Sequence, residues 1–325
     1  MNPTVRDLGP DDAPAVADLM ARIESDHPTG LCLSGDEVAE LMRDKPGCVF
    51  EGAFAGGDLV GFTTVLPSQP NADGQRFLLF GDVDPDRLGE GIGSLMLTRS
   101  LERARAIHRV DAPAAPARYA GAALADRHDQ AELMRAAGLV PGRHSFLMVA
   151  ELDEHLPGLQ PVPSGLVVEV LDDQTAELRA HEHLAAYNAA FADYPDGTDL
   201  DAEFWGGFMV SASHNRHALS QVARDDRGSI VGFVYAHEYA VAMSGAEGRE
   251  VYVPYVGTLP AHRGRGLATA LLGRVLHDAR AAGCVRAALN VDTANPTGAL
   301  GIYERAGFRQ SYRQDFYHLD EPPGA

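Results

Sequence analysis

Runs of alternating apolar positions and stretches with helical spacing follow one another along this chain, and the second half shows the pattern most clearly. Leu178 to Phe191 reads as a helix, and Ser229 to Ala240 and Glu250 to Thr258 read as strands. From Gly266 to Ala282 the apolar residues Leu267, Leu271, Val275 and Leu276 recur on one helical face. Arg286 to Val291 is again a strand. Asn295 stands where an N-cap belongs, Pro296 at the first helical position and Gly307 just beyond the end, so this punctuation predicts a last helix. Tyr312 to Leu319 predicts a final strand that closes the sheet. This alternation implies mixed α/β layers.

The same order occurs twice. Around residue 260 the chain reads Thr258-Leu259-Pro260-Ala261-His262-Arg263-Gly264-Arg265-Gly266-Leu267, and around residue 85 it reads Val83-Asp84-Pro85-Asp86-Arg87-Leu88-Gly89-Glu90-Gly91-Ile92. Further on, Tyr303-Glu304-Arg305-Ala306-Gly307-Phe308 corresponds to Met134-Arg135-Ala136-Ala137-Gly138-Leu139. A repeat of this period makes each half one structural unit. The stretch Leu156 to Gly165, rich in proline and glycine, reads as the linker. Domains of residues 1–155 and 166–325 follow, in keeping with a length of 325 residues.

Composition narrows the function. No apolar run approaches the ~20 residues of a membrane span, and the N-terminus lacks a signal-peptide pattern, so a cytoplasmic protein is expected. Cys32, Cys48 and Cys284 are too few and too scattered for a disulfide framework or a metal site, and read as buried reduced thiols. The 27 basic and 46 acidic residues leave a net charge of −19, which argues against nucleic-acid and anionic-membrane partners. His181 with His183, and His214 with His217, lack metal-binding spacing and read as surface histidines. No metal is expected.

Against that acidic background, His262, Arg263 and Arg265 gather positive charge at one glycine-rich turn. A strand ending at Thr258, a turn with Gly264 and Gly266, and a helix opening through Leu267, Ala268 and Thr269 would present unpaired backbone N–H groups to a diphosphate. A P-loop is excluded because the turn has no lysine. A dinucleotide-binding fold is excluded because only 33 residues follow Asp292.

Arg263-x-x-Gly266-x-Ala268, the strand Arg286 to Val291, Asn295 and the Tyr303 to Phe308 segment together resemble the GNAT superfamily of N-acetyltransferases. The repeat, with Tyr187-Asn188-Ala189-Ala190-Phe191-Ala192-Asp193 in an early helix, is similar to the tandem members of the mycothiol synthase type. The resemblance implies an α/β fold of two tandem GNAT-type domains, each a mixed, mostly antiparallel sheet flanked by helices. It implies acetyl-CoA as cosubstrate, gripped by the backbone of Arg263, Gly264, Arg265, Gly266, Leu267, Ala268 and Thr269. Val256, Gly257 and Thr258 would lie along the pantetheine arm, with Asn290 and Asn295 beside it. Tyr303 would protonate the leaving thiolate.

An alkylammonium has a pKa near ~10, so the acceptor amine must lose a proton before it attacks. Glu250 is the expected base, with His237 and Glu238 as rivals. The tandem relatives often carry a glutamate about two residues closer to the turn, where this chain has Tyr252. The acidic segment Asp193 to Asp201 reads as a solvated loop, with acceptor binding as the alternative. In the first half, Leu88, Glu90 and Met134 replace Arg263, Arg265 and Tyr303, and catalysis is expected to be lost, although Gly89, Gly91 and Gly93 leave room for weak or non-productive CoA binding. The expected reaction is acetylation of a primary amine on a small molecule through a ternary complex, by a monomer or homodimer. Acetylation of proteins or peptides, or non-catalytic acyl-CoA sensing, remain as alternatives.

Overall fold

The computed structural model describes residues 3–27, 32–44, 47–71, 73–193, 199–242, 247–293 and 299–324. The strands are β1 (Thr4–Asp7), β2 (Val49–Ala55), β3 (Asp58–Pro67), β4 (Gln75–Val83), β5 (Ala117–Leu124), β6 (Val140–Glu151), β7 (Val167–Val170), β8 (Gln221–Arg224), β9 (Ile230–Val234), β10 (Glu250–Tyr252), β11 (Val256–Thr258), β12 (Arg286–Asp292) and β13 (Arg309–Glu321). The helices are α1 (Ala13–Asp26), α2 (Gly35–Asp44), α3 (Ile92–Asp111), α4 (His128–Ala136), α5 (Asp173–Leu178), α6 (Ala180–Phe191), α7 (Ala202–Phe204), α8 (Leu267–Ala281) and α9 (Leu300–Arg305).

Two compact units result, and they are not consecutive in the chain. One comprises Met1–Ser145 with Tyr312–Ala325, the other Phe146–Ser311. The reason is strand exchange. β13 does not close the sheet of the second half as the sequence suggests; its residues Gln314 to Glu321 pair antiparallel with Leu124 to Ala117 of β5, in the first unit. In the second unit the place beside β12 is taken by β6, a strand from the first half. A division at 155/166, drawn along the chain, cannot express this.

In the first unit, β1 to β4 are antiparallel neighbours, and β4 runs parallel to β5 over Gln75–Leu78 and Ala117–Ala120. In the second, Glu250↔Arg286 opens the equivalent parallel pairing, which ends at Tyr252↔Ala288. The motif offsets in the sequence therefore reappear as strand register. Helix α8 buries the expected face, with Leu267, Leu271, Val275 and Leu276 at most 2% exposed against Val231, Val251 and Leu289. Full burial of each such side chain contributes about 1.5–3 kcal/mol.

Two predicted elements differ in extent. The helix expected over 178–191 starts at Ala180 as α6, because Arg179 (φ −111°) separates it from α5, which lies before it. The strand expected over 250–258 breaks because Pro254 has no N–H to donate. The last rung to β12 is Val253 N–H to Ala288 C=O (2.8 Å), after which β11 stays with β9 and parts from β12.

Candidate functional site

A gap opens between β11 and β12 in the second unit. Val256, Gly257 and Thr258 pair antiparallel with Val234, Phe233 and Gly232, and Tyr255 C=O accepts from Tyr235 N–H at 3.1 Å. Antiparallel alternation then directs the N–H groups of Val256 and Thr258 away from β9, into the gap. Gly257 is required here, since a Cβ would lie 2.1 Å from the Phe233 ring.

Beyond β11, a single turn over Pro260–His262 leads into Gly264 (φ 72°) and Gly266 (φ 81°), both left-handed. The first ladder bond of α8 runs from Ala270 N–H to Gly266 C=O (3.0 Å), so the N–H groups just ahead lie outside the helix ladder at its positive end. Leu267 turns its side chain into the core over Gly232, leaving only its backbone for a ligand; Ala268 and Thr269 are half-buried. Thr258 Oγ1 and His262 Nδ1 are buried polar atoms without a hydrogen-bond partner among the described residues. Such atoms favour a ligand that can pair with them, and this donor set fits a diphosphate.

Tyr303 on α9 is 7% exposed, and burial, with Tyr252 nearby, pushes its phenol up to about 12. The group is protonated at neutral pH and able to give a proton. Tyr252 is raised by burial too, and its hydroxyl accepts from Asn290 Nδ2 at 3.0 Å. Asn290 is thus brought to Tyr252 at the mouth of the gap. Asn295, with the cap it was expected to form, lies outside the described residues, as do Tyr194 to Thr198 of the acidic segment.

Glu250 is buried, on the same strand face as Tyr252. His237 pairs directly with Tyr252 through two backbone bonds of 2.8 Å and shares that face. It is completely buried, and burial holds its imidazole neutral well below the ordinary range, with His214 the next cause. Glu238 is paired with Arg216 and Arg249 instead.

The surface reading of the paired histidines fails for three of four. His183 bonds Tyr235 Oη at 2.9 Å, and burial pushes it down to about 4. His217 is held by Asp173 and the Met209 carbonyl, and the His214 ring lies 4.4 Å from that of His237. Only His181 is exposed. Cys32 and Cys284 are buried thiols, as expected, whereas Cys48 is only half-buried.

The first unit repeats the geometry with other side chains. Gly89 and Gly91 have φ of 79° and 81°, and a cavity of about 450 Å³ lies beside them, between β4, α3 and α4. Where the second unit has Gly257, the first has Asp82, whose carboxyl accepts from Gln130 and is raised by burial. Met134 lines the same cavity, and Arg87 pairs with Glu90. The sequence reading missed a further repeat. Val60-Gly61-Phe62 and Val231-Gly232-Phe233 place a glycine under the first helix residue in each unit, Gly61 under Ile92 and Gly232 under Leu267. The shared tripeptide was the available signal.

Residues 174–308 match the acetyltransferase (GNAT) family. The chain is 30% identical over 273 residues to a mycothiol acetyltransferase of Thermobispora bispora, covering 78% of each protein. It is 29% identical over 234 residues to one of a Nocardioides species, covering 70% of this chain and 74% of that protein. A GCN5-related N-acetyltransferase from Sphaerobacter thermophilus superposes over 99% of this chain and 97% of its own (TM-score 0.75, 24% identity). A tandem GNAT protein from the clavulanic acid biosynthesis pathway superposes over 98% of both chains (TM-score 0.75, 16% identity). No described helix is long and apolar enough to cross a membrane.

Proposed function

The chain belongs to the GNAT family of acetyltransferases, N-acetylating enzymes with acetyl-CoA as cosubstrate, and from that premise we propose that its second unit performs the transfer, onto a primary amine of a small molecule. The observation that carries this reading is the buried, protonated phenol of Tyr303 beside Tyr252, in the half whose turn also holds Arg263 and Arg265. The first half has Met134 in the corresponding place, and a thioether has no proton to give.

Acetyl-CoA supplies an acyl group activated as a thioester. The N–H groups from Gly264 to Thr269 would hold its diphosphate, with Arg265 as the exposed cation of the turn, and Val256 and Thr258 would direct N–H groups to the thioester carbonyl oxygen. Removing one such donor costs about 2.7–4 kcal/mol in the transition state. Tyr303 Oη would pass its proton to the departing sulfur. Glu250 would take the proton of the incoming ammonium, since attack requires the neutral amine. Attack is direct, with both substrates bound.

The relatives named mycothiol acetyltransferases support a small-molecule acceptor of that kind. The deciding experiment measures thiol release from acetyl-CoA with a panel of amino sugars, aminoglycosides and short peptides. Release with small amines is expected. Release with peptides alone would replace the acceptor class, and silence with CoA still bound would make the protein a sensor.

A further inference from the structure

Arg263 gives the glycine turn its charged signature, yet its guanidinium is occupied within the protein. Nε donates to the Thr258 carbonyl at 3.1 Å, one terminal nitrogen donates to the Ala190 carbonyl at 2.8 Å, and the fork pairs with both carboxylate oxygens of Asp193. The pairing holds Asp193 below the usual carboxylate range. Three points of the chain therefore converge on one side chain: the end of β11, the last turn of α6 and Asp193, two residues beyond that helix. Only a planar fork has donors in enough directions for this.

The first unit supplies a control. Leu88 occupies the corresponding position with φ −62° and ψ 147°, against −68° and 161° for Arg263, and the glycine turn after it keeps the same conformation. The arginine is therefore not needed to shape the turn. What it adds is attachment of α6. That helix packs Tyr187 against Tyr255 (4.8 Å between ring centres), at the point where the chain leaves β12, and Asn188 bonds both N–H and C=O of Leu200.

We infer that Arg263 is a positioning residue: its fork to Thr258, Ala190 and Asp193 sets β11 and α6 relative to the cofactor turn, rather than contacting the diphosphate. The inference rests on the proposed role of the second unit. If β11 carries the N–H donors for the thioester, loosening its end should cost turnover more than binding.

The test compares wild type, Arg263→Lys, Asp193→Asn and the double variant, using calorimetric titration with CoA and thiol release from acetyl-CoA with the amine that wild type turns over fastest. Each single variant is expected to lower kcat about tenfold and shift CoA affinity less than about threefold, and the double variant to be no worse than either, the signature of one shared interaction. Direct contact with phosphate predicts the reverse. Arg263→Lys, which keeps the charge, would then resemble wild type, and Asp193→Asn, which removes a nearby negative charge, would tighten CoA binding at unchanged kcat; that result overturns the inference. Gly266→Val separates the two readings, because CoA binding that survives this change removes the turn as the cofactor site, whatever Arg263 does.

Discussion

The two glycine turns share a backbone and differ in nearly everything a ligand would meet. Gly89 and Gly264 have φ of 79° and 72°, Gly91 and Gly266 both 81°, and a three-residue turn opening with proline precedes each. Around this common frame the first unit places Leu88, Glu90, Asp82 and Met134, the second Arg263, Arg265, Gly257 and Tyr303. Glycine and proline maintain the turn because they satisfy its dihedral angles. The chemistry proposed for the second unit depends on Arg263, Arg265 and Tyr303, whose identities the turn's backbone does not constrain, so a copy can keep the shape whatever side chains it carries there.

The largest test of this contrast is Tyr303→Phe, which should lower kcat about 100-fold or more with CoA affinity nearly unchanged, while Met134→Leu should leave kcat alone. With the Tyr303 phenol at about 12, no alkaline fall in rate below pH 10 should trace to it. Next comes acid stability. The fold holds His183 neutral, so the unfolded chain binds the proton first; stability is intact above pH 6.5 and is lost as the pH falls towards 4, by up to about 3 kcal/mol. Melting temperatures between pH 7 and 4 would show a slope that flattens in His183→Gln. Gly257→Ala, which drives a methyl into the Phe233 ring, should destabilise by about 1–3 kcal/mol in denaturant titration, whereas Asp82→Asn, which keeps the volume and an oxygen to accept from Gln130, should cost less. Arg265→Glu should weaken CoA binding about tenfold, or about 1.4 kcal/mol; Glu90→Gln should not weaken it.

Much of this was legible in the sequence because it is local. The α8 face needs only period 3.6, and the turn needs only its glycines. Pairings between distant residues were not legible. Nothing near Arg263 reveals that Asp193, seventy positions earlier, meets it, and isolated histidines give no sign of Tyr235 or Asp173 as partners. The break at Pro254 could have been foreseen from the missing N–H. The destination of β13 could not, since its alternation suits either half.

That last strand affects how the molecule is made. Ala117 to Leu124 of the first unit wait for Gln314 to Glu321, roughly 200 residues later. At about 5–20 residues per second a ribosome takes on the order of 10–40 s to supply them. Until then β5 presents an unpaired edge, the kind of template on which other chains add. The first half of the protein is translated early and completed last, so its passage through the cell's folding machinery is set by the far end of its own message.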